Sequence, residues 1–80
     1  MQHILDVRSP AEFQQGHAPG AINMPVDQLA IQLSNGSTMD KNDEITIYCL
    51  SGARAGVAKT LLDRAGYTKV TNAGGLSNMI

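Results

Sequence analysis

Eighty residues are enough for one small domain, and a chain this short buries only ~60% of the surface it exposes when unfolded, so its core is thin. Apolar residues make up 42% and charged residues 16%, a mix that excludes intrinsic disorder. The formal net charge of -1 provides no basic stripe for nucleic acid, and no apolar run reaches the ~20 residues of a membrane-spanning helix.

The first element predicted is a strand over residues 3–7, His-Ile-Leu-Asp-Val, whose clustered apolar residues suit a buried parallel sheet. Ser9 then caps a short helix: Pro10 suits its first position, Glu12 completes a capping box, and Gly16 and Pro19-Gly20 stop it. Residues 21–24 form a brief extended piece ended by Pro25. Asp27 is the expected cap of a second helix to about Leu33, closed by Asn35-Gly36. Asn35-Gly36-Ser37 also matches a glycosylation acceptor, read here as chance because no secretory signal precedes it. Residues 44–48 form the clearest strand, through Ile45, Ile47 and Tyr48. Residues 49–53 read as loop, and residues 54–65 as the clearest helix, with Val57, Ala58, Leu61, Leu62 and Ala65 on one face and Gly66 as its stop. A last strand is expected over 69–72, with Gly74-Gly75 as a tight turn rather than a phosphate loop. Alternating strands and helices predict an α/β fold: a small, mainly parallel central sheet flanked by short helices, in a single domain over 1–80.

Cys49 is the one cysteine, so it forms no internal disulfide. His3 and His17 show no ligand spacing with it, and no metal or cofactor is expected. A lone cysteine is most often a buried, inert hydrophobe. Its neighbours point the other way. Cys49 ends the best strand just before the best helix, where open α/β sheets bind ligands. In the loop Cys49-Leu50-Ser51-Gly52-Ala53-Arg54, Gly52 lets the backbone curl so that several N–H groups converge as an anion nest. The helix N-terminus and the Arg54 guanidinium also favour an anion. A free thiol has a pKa of ~8.5, and lowering it by about two takes roughly 2.7 kcal/mol, within the reach of two or three charge-assisted hydrogen bonds. A persulfide is anionic too and gains from the same nest. His17 reads as a structural, hydrogen-bonded residue rather than a base. Asp6, Arg8 and Glu12 read as structural ion pairs joining the first strand to the first helix. The four methionines show no helical stripe and read as filler.

Taken together, these pieces resemble the rhodanese superfamily. The matching residues are Asp6-Val7-Arg8, Glu12-Phe13, the run Gly16-His17-Ala18-Pro19-Gly20-Ala21-Ile22-Asn23-Met24-Pro25, the Tyr48-to-Arg54 loop, Leu61-Leu62, Gly66-Tyr67, Val70 and Gly74-Gly75-Leu76. Among small members the chain is most similar to phage-shock-protein-E-type bacterial rhodaneses. The resemblance implies a sulfurtransferase in which Cys49 takes the outer sulfur of a small anionic donor such as thiosulfate, then passes it to cyanide or a thiol. Leu50, Ser51, Gly52, Ala53 and Arg54 would bind the substrate, with Arg54 attracting the donor. The related phosphatases have one more residue between cysteine and arginine, so the shorter loop disfavours a phosphatase. A non-catalytic sulfur-carrier or binding module is the other alternative, against which an intact Cys49 and Arg54 argue. Ala55 stands where many members carry Ser or Thr, leaving only its backbone N–H for the sulfur. A monomer is the default expectation. The compartment stays open between cytoplasm and, for a processed chain, periplasm.

Overall fold

The computed structural model describes residues 1–36 and 39–80. Ser37, and with it the full Asn35-Gly36-Ser37 acceptor match, lies outside the described residues. Among the described residues four strands, β1 (Gln2–Asp6), β2 (Ile22–Asn23), β3 (Glu44–Cys49) and β4 (Val70–Gly75), form one sheet in the order β2-β1-β3-β4. Every neighbouring pair is parallel, as the strand–helix alternation predicts. The helices are α1 (Pro10–Gln14), α2 (Val26–Ser34) and α3 (Ala53–Arg64), and a 3-10 turn spans Leu76–Asn78.

β1 and β3 occupy the centre of the sheet because they carry its apolar side chains. Leu5, Ile45 and Ile47 are buried, and Val7 is buried just beyond β1. Leu29 of α2, Ala55, Ala58 and Leu62 of α3, and Tyr67 complete the core. Met24 and Met39 pack against it, whereas Met1 is exposed.

Local sequence chemistry accounts for α1. The Ser9 side chain accepts from the Glu12 N–H, the Glu12 carboxylate accepts from the Ser9 N–H, and Pro10 opens the first turn.

Three expectations need correction. Asp27 does not cap α2: Pro25 holds the cap position, and Asp27 lies in the first turn, where an acid complements the helix dipole. Val57 is 54% exposed, so the buried stripe of α3 is Ala55, Ala58 and Leu62, rotated from the predicted face. The reason is tertiary: α3 meets α2, β3 and β4 along its small alanines, which allow close approach. The last strand runs through Gly75 instead of ending at Asn72, so Gly74-Gly75 lies within β4 and is not a turn beyond it. β4 also carries a bulge: Ile47 faces Asn72, but Cys49 faces Gly75, three residues on against two.

Candidate sulfur-binding site

Cys49 is the last residue of β3, not the first of a loop, and is fully buried. Its Sγ accepts a hydrogen bond from the Gly52 N–H at 2.8 Å and another from the Ala55 N–H at 3.4 Å. Both donors belong to the start of α3, whose N-cap is Gly52. The first N–H groups of a helix lack intrahelical partners and are usually taken by a Ser, Thr or Asp cap. Here the cap residue has no side chain, and no acid occupies the first turn. These donors are left for the sulfur, and the cysteine replaces the missing cap.

Two glycines shape the ring. Gly52 has φ +95°, a left-handed conformation that side chains adopt at a cost. Gly75, beside Cys49 in the sheet, allows the loop to close: a Cβ there would overlap the Leu50 carbonyl oxygen. The β4 bulge brings this glycine into register with the sulfur.

Burial pushes the Cys49 thiol up. The N–H groups of Ala55, Ser51, Gly52 and Arg54 outweigh it and hold the thiol below its ordinary range. The donors come from the main chain, so the loop's side chains matter less than its curl. Leu50 and Ser51 are exposed at the mouth. Leu50 also lines a depression of about 350 Å³ with Arg8, Glu12, Gln15, Gly16 and Leu76. A separate depression of about 450 Å³ lies at the amino-terminal ends of β1, β3 and β4, around Gln2, Glu44 and Val70.

The charged residues divide into two pairs rather than the single network expected of Asp6, Arg8 and Glu12. Arg8 Nε donates to both Asp6 carboxylate oxygens, and Arg8 Nη2 donates to Asp6 Oδ2 at 2.7 Å and to the Gly16 carbonyl at 2.7 Å. Glu12 instead takes Arg54 in a two-pronged pair, Nη1 to Oε1 at 2.7 Å and Nη2 to Oε2 at 3.0 Å. The Arg54 guanidinium is therefore engaged across the rim. The Arg54 bonds hold the Glu12 carboxyl far below the usual range, at about 2.

His17 stacks on Phe13 at 3.7 Å, and its Nδ1 lies 2.9 Å from the Phe13 carbonyl. The Ala55 N–H donates to the sulfur, the role expected of it once its side chain offers no hydroxyl. Sequence reasoning missed two contributors. The Tyr48 hydroxyl accepts from the Ala18 N–H and donates to Asp6. Asn23 Nδ2 donates to the carbonyls of Asp6 and Arg8. The available signal was position: Tyr48 precedes the cysteine, and Asn23 sits in the run ending at Pro25.

A family model described as rhodanese-like domain matches residues 1–79. The thiosulfate sulfurtransferase PspE of Escherichia coli K12 is 42% identical over 78 residues, covering 98% of this chain and 74% of its own. A sulfurtransferase of Allochromatium vinosum is 38% identical over 86% of this chain and 62% of its own length. Among solved structures, a rhodanese with anions from E. coli superposes with a TM-score of 0.86 at 42% identity, covering 98% of this chain and 91% of that one. The human single-domain sulfurtransferase TSTD1 superposes at 0.83 with 30% identity, covering 92% and 75%.

Proposed function

The chain belongs to the rhodanese-like sulfurtransferase family, and from that premise we propose that it is a thiosulfate-type sulfurtransferase working through a persulfide on Cys49. One observation carries the reading: the lone cysteine ends a central strand with its sulfur bonded to the Gly52 and Ala55 amides. Main-chain donors aimed at one sulfur favour its anion, the nucleophilic form. They are already in place, so little reorganisation is needed as charge moves.

In the first step the Cys49 thiolate attacks the outer sulfur of thiosulfate. A sulfur–sulfur bond to Cys49 forms, the bond to the sulfonate sulfur breaks, and sulfite leaves with the electron pair. The persulfide keeps one negative charge inside the same amide ring. In the second step cyanide, or a thiolate, attacks the outer sulfur. Thiocyanate or an acceptor persulfide departs, and the Cys49 thiolate is restored. The amide ring favours the ionised thiol without a general base, and His17 is engaged with Phe13.

Intact mass after incubation with thiosulfate tests the proposal. The expected result is one added sulfur atom, removable by cyanide and absent in Cys49→Ser. An unmodified chain with a demonstrably free thiol would refute it.

A further inference from the structure

Glu12 and Arg54 meet at the rim of the sulfur site, and their geometry is fixed from both sides. Glu12 is held by its own helix start: Oε1 accepts from the Ser9 N–H at 3.3 Å and from Ser9 Oγ at 3.0 Å. Arg54 sits in the first turn of α3, where its main-chain N–H favours the sulfur anion while its side chain reaches back to Glu12. Glu12 also lines a depression with Leu50, so its charge stands beside the loop that follows Cys49.

The side-chain charges around this rim are paired. Arg54 is matched by Glu12, and Arg8 by Asp6. The sulfur receives its bonds from main-chain amides, which attract an anion locally and carry no net charge. A bare arginine there would attract every oxyanion, including the departing sulfite and the phosphate of ordinary solution.

We infer that Glu12 is a specificity-determining residue: by matching Arg54 it keeps the mouth neutral, so that the short-range amide ring, and not long-range attraction, selects what reaches Cys49. This rests on the reading of Cys49 as the reactive sulfur, but its test needs no sulfur transfer.

The test compares alkylation of Cys49 by iodoacetate, an anion, with alkylation by iodoacetamide, its neutral counterpart. Both react with the same thiolate, so the ratio of their rates cancels the thiolate fraction and reports the potential at the sulfur. In Glu12→Gln the ratio should rise about threefold to tenfold at low ionic strength and the gain should shrink with added salt. In Arg54→Ala it should fall, because Glu12 is left uncompensated. The Glu12→Gln/Arg54→Ala double variant should return close to the parent ratio. Loosened structure alone would move both rates together and could not reproduce opposite shifts that cancel. The parent protein supplies a further measurement that needs no variant: its ratio should change little between low and high salt. A steep salt dependence in the parent, or a Glu12→Gln ratio equal to or below the parent's, would overturn the proposal.

Discussion

The Tyr48 hydroxyl donates to Asp6 Oδ2 at 2.8 Å, tying the residue before Cys49 to a buried ion pair one strand away. The same hydroxyl accepts from the Ala18 N–H at 3.0 Å. The run around Ala18, the end of β1 and the end of β3 are thereby joined at a single oxygen. Tyr48→Phe leaves the Ala18 N–H and one carboxylate lone pair without this partner, which costs about 1–3 kcal/mol. Denaturant unfolding should show that loss at an unchanged m-value. A midpoint equal to the parent's would show that water replaces the hydroxyl.

Removing Asp6 is the more severe change. Arg8 is 4% exposed and spends its Nε and Nη2 on the carboxylate. Asp6→Ala leaves a buried guanidinium unpaired, which costs about 3–5 kcal/mol. For a thin core that is a large share of total stability. The check is the thermal midpoint, expected to drop below that of Tyr48→Phe.

Acid should unfold the protein through these carboxylates. Burial raises the Asp6 carboxyl, but bonds from the Arg8 side chain and N–H and from Tyr48, with the Arg8 charge, hold it below its ordinary value. Glu12 is lowered to about 2 by Arg54. A folded-state pKa below the unfolded one means stability that is complete above the unfolded pKa and fades as pH falls through the folded one. For Glu12 the window runs from about pH 4.3 down to about pH 2. The part of the acid shift that belongs to these carboxyls should set in below about pH 4.5, as a fall in melting temperature. In Glu12→Gln the shift should be smaller, because one of the lowered carboxyls is gone; an equal shift would assign the acid sensitivity elsewhere.

Gly75 gives a prediction about activity rather than stability. An added methyl group at this position meets the Leu50 carbonyl, which is backbone and cannot swing aside. Gly75→Ala must push the loop outward and disturb the amides that face Sγ. Sulfur loading should fall and the thiol should titrate closer to an ordinary free cysteine, measured by the pH dependence of iodoacetamide alkylation. A parent-like titration would show that the ring tolerates the shift.

The two sides of α3 can be told apart by substitution. Val57 is half exposed, so Val57→Lys should change stability by no more than about 0.5 kcal/mol. Leu62 is fully buried, and Leu62→Ala should cost about 2–5 kcal/mol. Equal losses would contradict the observed rotation of the helix.

Much of the frame was legible because its causes are local. The Ser9-Pro10-Glu12 cap acts within four residues, and the apolar runs of β1 and β3 announce burial on both faces. The parallel sheet follows from alternation of strand and helix. Errors came where an element meets another. The period of α3 admits Val57 or Ala55 on its inner face, and only the approach of α2 and the sheet chooses the alanines. Asp27 has the right chemistry for a cap, but Pro25 already sets the backbone there.

The site divides along the same line. Sequence alone determined that the one cysteine stands where a strand gives way to a loop, that a glycine lets this loop curl, and that an arginine opens the helix beyond it, since these depend on the order of residues along the chain. Tertiary structure decided which donors meet the sulfur, that Glu12 takes Arg54 while Asp6 keeps Arg8, and that Gly75 admits the loop. The partners in those contacts lie up to 42 residues apart, and their meeting is set by strand register and by the β4 bulge, which no local preference encodes.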